Sequence, residues 1–248
     1  MTDRSLFLIS GTDRVRFLQN LVTNSVGEDM PLTYAALLTP QGKYIADFFL
    51  TALPAPFEDA LLLDIATDLA DDLVRRLMLY KLRADVEIAP APLHVHRGLG
   101  QVPQDGWADP RHAELGWRAY RDAAPTQVFD ADWTALRVDY MVPEAGFELT
   151  EDSYILEMGF ERLNGVDFRK GCYVGQEVTA RMKHKTELRK GLAQLEVPDG
   201  AKAGDALEQG GKPAGTLHTV VGTKALAYLR FDRSEGLSLN GQPVTRLA

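Results

Sequence analysis

Cysteine occurs once in the 248 residues, at Cys172, so no internal disulfide staples this chain. A lone thiol without a disulfide framework fits a reducing compartment, and a cytoplasmic location is the expectation. Long apolar runs are also missing: none approaches the ~20 residues that a membrane-spanning helix needs. The run Leu6-Phe7-Leu8-Ile9 is too short for a secretory signal, and its surroundings lack the Arg-rich, acid-poor make-up of a transit peptide. Positive charge is not in excess either. A formal net charge of −8 argues against general nucleic-acid binding, which neutralises phosphates with Lys and Arg. One local basic patch, Lys183-His184-Lys185 with Arg181, Arg189 and Lys190, reads as a solvated helix face. No heptad or long exposed apolar strand argues for self-association, so a monomer is expected. His94 and His96 alternate and would share one face of a strand. No further ligands stand at a coherent spacing, so no metal site is expected.

What is present suffices for a core. The 45% hydrophobic content is ordinary for a globular protein, and the length allows one large domain or two to three small ones. Thr12 or Asp13 is placed to cap a short helix carrying Val15, Phe17, Leu18, Leu21 and Val22. Tyr34 to Leu38 reads as a strand, Thr39-Pro40-Gln41-Gly42 as a turn and Lys43 to Leu53 as the returning strand. Ala60 to Ile65 reads as a buried strand. Thr67 or Asp68 then caps a helix with Leu69, Leu73, Leu77 and Tyr80 on one face, and Arg83 to Ile88 returns as a strand. Ala89-Pro90-Ala91-Pro92 marks a break, followed by a loop-rich stretch to Pro125. Asp132 or Asp130 caps a helix through Trp133, Leu136 and Tyr140. Beyond Arg189 short apolar runs alternate with turns at Pro198-Asp199-Gly200, Gly210-Gly211, Gly222 and Asn240-Gly241, the texture of a small antiparallel β-barrel. The order of pieces points to an α+β layer, with the domain boundary between Lys185 and Lys190.

The chemistry concentrates in Lys170-Gly171-Cys172-Tyr173-Val174-Gly175-Gln176-Glu177. Gly171 and Gly175 permit close backbone approach and positive φ. Arg169 and Lys170 bring positive charge beside the thiol, and a helix opens after it. Such surroundings favour the thiolate, and Lys170 is the expected electrostatic partner of Cys172. A small buried apolar cysteine is the competing reading.

That octapeptide resembles the K-G-C-Y-x-G-Q-E signature of the YgfZ-type folate-binding proteins, relatives of the glycine-cleavage T-protein. The resemblance runs from about Gly11 to Leu247 and is weak between roughly Ala89 and Asp130. Gly11-Thr12-Asp13, Phe17-Leu18-Gln19 and Thr23-Asn24 look like the family's first helix, with Asn20 and Asn24 departing from its pattern. It implies a folate-binding α+β body of two interleaved subdomains over residues 1–187, a C-terminal barrel over residues 188–248, and a central channel. It also implies a site. Asp47 lies where the T-protein hairpin carries an acidic pair, and Ala46 replaces the second acid. Trp133 falls where the family sets an aromatic against folate. Glu157 matches a glutamate suited to the polar edge of a pterin, although Ile155 replaces the preceding proline. Within the signature Cys172 is the reactive thiol with Lys170, Gly171 and Gly175 are backbone positions, and Tyr173, Gln176 and Glu177 orient the loop. One cysteine cannot hold a four-thiolate cluster alone, so ligation would be shared.

The function implied is a tetrahydrofolate-binding accessory protein in the assembly or repair of iron–sulfur enzymes. Its partners would be a reduced folate and iron–sulfur client or assembly proteins, with neither nucleic acid nor membrane. A folate-dependent one-carbon enzyme, an aminomethyltransferase or a demethylase, is the alternative; Ala46 speaks against efficient aminomethyl transfer. A pure interaction module is the third reading.

Overall fold

A computed structural model describes residues 3–126, 132–185 and 187–248. Its contacts fall into two compact units, one of Met1–Ala131 and Glu161–Gln176, the other of Asp132–Phe160 and Glu177–Ala248.

The first unit is built on a five-stranded antiparallel sheet. Its strands are β1 (Arg4–Ser10), β2 (Thr33–Leu38), β3 (Tyr44–Ala52), β4 (Ala60–Ala66) and β5 (Glu87–Pro90), in the order β2-β3-β4-β1-β5. The central strand β4 is buried along its whole length, which accounts for a run, Ala-Leu-Leu-Leu-Asp-Ile-Ala, without polar alternation. One face carries Ile9, Phe48, Leu50, Leu61, Leu63 and Ile65. They pack with Phe17 and Leu18 of helix α1 (Arg14–Gln19) and with Leu73 and Leu77 of helix α2 (Thr67–Lys81). Each fully buried leucine contributes about 1.5–3 kcal/mol.

The opposite face meets a second layer that the sequence read as loop. Strands β6 (His94–Gly98), β7 (Gly106–Ala108) and β8 (Trp117–Arg121) form a three-stranded sheet in the order β6-β8-β7. Val95, Trp107 and Tyr120 from it pack against Leu6, Leu53 and Leu62. These strands are short and split by glycine and proline, so no period accumulates. One of the breaks is a fitted joint: Gly116 has φ +74°, and a Cβ there would stand 1.9 Å from the Gly98 carbonyl oxygen.

Three local expectations shift by a few residues. Asp13 does precede α1, but its carboxylate accepts from the Asp85 backbone N–H (2.9 Å) instead of capping the helix. The residue before α2 is Ala66, with no side-chain cap, and the Thr67 N–H donates to the Asp3 carbonyl. The returning strand begins at Glu87 and not at Arg83, because the Ala84–Val86 turn is drawn against Gly11, Thr12 and Asp13. Strand β1 itself was not anticipated.

In the second unit Asp132 caps helix α3 (Trp133–Asp139), its Oδ1 accepting from the Ala135 N–H at 2.9 Å. Asp130 lies outside the described residues. The barrel strands are β9 (Lys190–Glu196), β10 (Ala206–Gln209), β11 (Lys212–Val221), β12 (Lys224–Arg230), β13 (Leu237–Leu239) and β14 (Gln242–Arg246). They close in the order β10-β11-β12-β9-β14-β13, with β10 pairing β13. Closure leaves no strand edge, and Leu195, Leu207, Leu217, Leu229 and Leu237 fill the interior. The expected α+β class with a C-terminal antiparallel barrel is borne out. Contacts also group residues 132–160 with the barrel. Arg137 of α3, fully buried, donates to the Val142 carbonyl and the Glu148 carboxylate (both 2.9 Å). Glu148 in turn accepts from the Thr219 hydroxyl of β11.

Between the two sheets of the first unit sits the buried acid Asp64. Asp64 accepts from Arg4 Nε (2.5 Å), Arg118 Nη1 (3.0 Å) and the Tyr120 hydroxyl (2.9 Å). Burial opposes its charge, but the adjacent Arg4 and Arg118 outweigh that and hold the carboxyl well below the usual carboxylate range. Asp64→Asn should therefore lower the denaturation free energy of this unit by about 3–5 kcal/mol at pH 7, since it leaves buried guanidiniums unpaired. A depressed folded-state pKa stabilises above the unfolded value and loses that stabilisation as pH falls toward the folded one. The gap between wild type and variant should accordingly narrow below pH ~4. A variant within 1 kcal/mol of wild type at pH 7 would show the pair to be dispensable.

Candidate functional site

The signature segment joins the end of the first unit to helix α4 (Gln176–Lys185). Its anchoring starts at the exit of α1. There Thr23 donates through Oγ1 to the Gly165 carbonyl (2.7 Å) and accepts from the Ala36 N–H (2.8 Å). Asn24 Nδ2 reaches the carbonyls of Tyr34 (3.0 Å) and Asn164 (2.7 Å), and the Ser25 hydroxyl donates to Asp167 (2.7 Å). These positions, read as belonging to the first helix, stitch residues 22–25 to residues 164–167.

Lys170 completes the seam. Only 8% exposed, it donates from Nζ to the carbonyls of Val22 (2.5 Å) and Asn24 (2.7 Å), and the ammonium lies 5.3 Å from the centre of the Tyr173 ring. Desolvation pulls its pKa down to about 8, against a small opposing pull from Asp167. This corrects the expectation for Lys170: its charge is committed to two backbone oxygens, and its role is to pin the loop. Arg169 points away into solvent, with Asp167 at 3.9 Å.

Tyr173 is buried as well, and Gly171 and Cys172 between these two anchors are exposed. The buried-apolar reading of Cys172 is thereby excluded. Of the two glycines, only Gly175 fits the backbone expectation. Its φ is +84°, and a Cβ there would lie 2.7 Å from the Thr39 carbonyl in the β2–β3 turn, whereas a Cβ at Gly171 would meet open space. The Gln176 N–H returns to the Tyr173 carbonyl (3.2 Å) and opens α4. Glu177 is exposed and pairs with Arg181 one turn on (2.6 Å), a surface contact worth well under 1 kcal/mol.

The acid of β3 has a different setting. Asp47 accepts from Tyr34 (2.9 Å) and Tyr44 (2.6 Å), one hydroxyl on each oxygen. Burial, then the neighbouring carboxylate, pushes both phenols well above their ordinary value, so both remain donors. These tyrosines were not singled out from the sequence; alternation along β2 and β3 could have found them. The same alternation settles Ala46. It belongs to the core packed with α1 and α2, on the opposite face of the sheet from Asp47. An acid at this position could not share a site with Asp47.

Trp133 and Glu157 belong to the second unit and Asp47 to the first. Trp133, 8% exposed, is packed at the start of α3. Glu157 is half-buried. Its carbonyl accepts from the Leu192 N–H (2.7 Å), and its Oε2 accepts from the Tyr228 hydroxyl (2.5 Å). Burial first, then that bond, raises the Tyr228 phenol far above its usual range. Glu157 Oε1 accepts no hydrogen bond among the described residues, so the carboxylate keeps capacity for an N–H edge. Among the described residues no group of three or more His, Cys, Asp or Glu could hold a metal ion.

Fold and loop together define a T-protein-like body with an appended barrel. Residues 189–247 match the family described as CAF17, C-terminal beta-barrel domain. The whole fold resembles the crystal structure of glycine cleavage system aminomethyltransferase T from Bartonella henselae. That likeness has a TM-score of 0.72 over 97% of this chain and 81% of that one, at 15% identity. In sequence the chain is 32% identical to the mouse iron–sulfur cluster assembly factor IBA57, mitochondrial, over 94% of itself and 77% of that protein. The human protein of the same name is 30% identical, again over 94% and 77%. The Mycosarcoma maydis homologue is 30% identical over 77% of this chain and 55% of its own length. The chain belongs to the IBA57 family.

The expected cytoplasmic location does not stand. The matched relatives are named as mitochondrial proteins. A lone thiol reports reducing surroundings and cannot tell one reducing compartment from another.

If Lys170 pins the loop, Lys170→Ala should lower stability by about 1–3 kcal/mol at pH 7, because two buried carbonyls lose their donor. The folded-state value near 8 lies below the ordinary lysine value, so between those pH values the unfolded chain holds more protons. Wild-type stability should rise relative to the variant from pH ~8 to ~10. A difference that is flat or falls over that range would show the ammonium not to be desolvated.

Proposed function

We propose that this protein acts in iron–sulfur cluster assembly by offering Cys172 as a single thiolate from a rigidly held loop, in a body that also binds a reduced folate. The exposure of Cys172 between two buried anchors carries the reading. The family supports the assembly role, since the relatives it matches are named iron–sulfur cluster assembly factors. A cluster held by four thiolates finds one ligand here, so the others come from an assembly or client protein. The signature's kinship to the YgfZ-type proteins belongs to the same proposal.

The residue types support a reduced folate: the Glu157 carboxylate, with Oε1 open, suits an aminopyrimidine edge. In the first unit, taken by itself, the Asp47 carboxylate is held by two tyrosine hydroxyls and suits a cationic or N–H group. Trp133 contributes an apolar edge and not a broad stacking face, given its burial. Tetrahydrofolate, when bound, supplies a carrier for one-carbon groups. The likeness to an aminomethyltransferase supports the fold of such a body. Efficient aminomethyl transfer is not part of the proposal, because Asp47 stands without a second acid on its face of β3.

Three variants test this. Cys172 should alkylate in the native protein without denaturant, and Cys172→Ser should fold within ~0.5 kcal/mol of wild type. Cells relying on the serine variant should lose iron–sulfur enzyme activity; full activity would overturn the role of the thiol. Glu157→Gln should weaken tetrahydrofolate binding about 10- to 100-fold, the loss of a hydrogen bond to a charged group. Unchanged affinity would remove the placement. Ala46→Asp should cost about 3 kcal/mol or more by burying an unpaired carboxylate and should confer no aminomethyl transfer. A stable, active variant would contradict the assigned face.

A further inference from the structure

The two sheets of the first unit enclose more positive charge than they neutralise. Register places Arg97 of β6 directly opposite Arg118 of β8, so the two side chains leave the same face of the small sheet. That face is the one packed on the large sheet, because Val95 and Tyr120, two residues along each strand, join the cluster with Leu6 and Leu62. Like charges directly opposed across a ladder are unfavourable. Asp64, paired with Arg118 at 3.0 Å, offsets only part of this repulsion.

The carboxylates at hand are spoken for. Asp64 takes Arg4, Arg118 and Tyr120. Asp109 takes Arg111 twice, at 2.9 and 2.8 Å. Asp47 takes two tyrosine hydroxyls. The Arg97 side chain makes no hydrogen bond or ion pair among the described residues. Arg118 is 3% exposed, and its buried Nε makes no hydrogen bond, with a carboxylate oxygen of Asp109 at 3.6 Å. Four guanidiniums, of Arg4, Arg97, Arg111 and Arg118, thus share the two carboxylates of Asp64 and Asp109. The Phe49 ring faces Arg118 at 4.0 Å, Arg111 at 4.8 Å and Arg4 at 5.7 Å, which softens the charge but accepts no in-plane N–H bond. Burial, then the repulsion of Arg118, brings Arg97 down to about 9.

We propose that Arg97 and Arg118, with Arg4 behind them, form a binding site for a small oxyanion, a phosphate or a compact carboxylate. Arg97 is half-buried, which gives the site an opening, and its planar fork can hold two oxygens while the Arg118 Nε–H meets a third. The site includes neither Cys172 nor the residues assigned to folate.

Thermal unfolding of the full chain in phosphate, in succinate and in chloride of matched ionic strength tests it. Wild type should gain stability saturably with phosphate or succinate and not with chloride. The anion that acts identifies the source, phosphate or carboxylate. Arg97→Gln should melt higher than wild type without added anion, since one repelling charge is gone, and should bind at least tenfold more weakly. The exposed-surface variant Arg75→Gln should keep the wild-type response. No saturable gain with either anion, or an equal gain in Arg97→Gln, would overturn the proposal. An Arg97→Gln that melts lower without anion would do so as well, since it would mark Arg97 as a structural cation.

Discussion

Burying a lysine ammonium is unfavourable unless acceptors replace its water, and Lys170 has two, the carbonyls of Val22 and Asn24. Around that bond the backbone of residues 22–25 is tied to residues 164–167 by Thr23, Asn24 and Ser25. The β2–β3 turn closes on Gly175 from another side. With both ends fixed, the residues between them have nowhere to pack, and Cys172 is held in solvent. The thiol is exposed by construction, at the cost of a lysine whose proton is held less tightly than usual.

The large sheet behind this loop divides its labour by face. One face carries the apolar core packed with α1 and α2, and Ala46 belongs to it. The other mixes a leucine cluster with Asp64, Asp47 and the arginines of the small sheet. Alternation along single strands therefore decides both which acid can serve a ligand and which cations are left without one.

How far this was legible depended on whether the signal was local. The β2–β3 hairpin announced itself through Thr39-Pro40-Gln41-Gly42, and the barrel through glycine turns at regular spacing; both stand within a residue or two of expectation. The small sheet did not, because β7 has three residues and Gly98, Gly106 and Gly116 interrupt any period. Cap assignments failed where a tertiary partner won: Asp13 turned to Asp85, as Lys170 turned to residues 148 and 146 positions earlier. At the candidate site the residue types were readable, but their directions were not. Lys170 and Cys172 are two apart in sequence, and one faces the interior while the other faces water.

The account thus assigns structure to the lysine and chemistry to the cysteine of one motif. In the proposed role that cysteine contributes one ligand and is not a sole host; among the described residues no group of three or more His, Cys, Asp or Glu could hold a metal ion. The most direct measurement is an anaerobic titration of the protein with a [2Fe–2S]-loaded carrier, followed by visible absorption and size-exclusion chromatography. Wild type should form a complex that retains the cluster, and Cys172→Ser should form none. A serine variant that captures the cluster as wild type does would contradict the account.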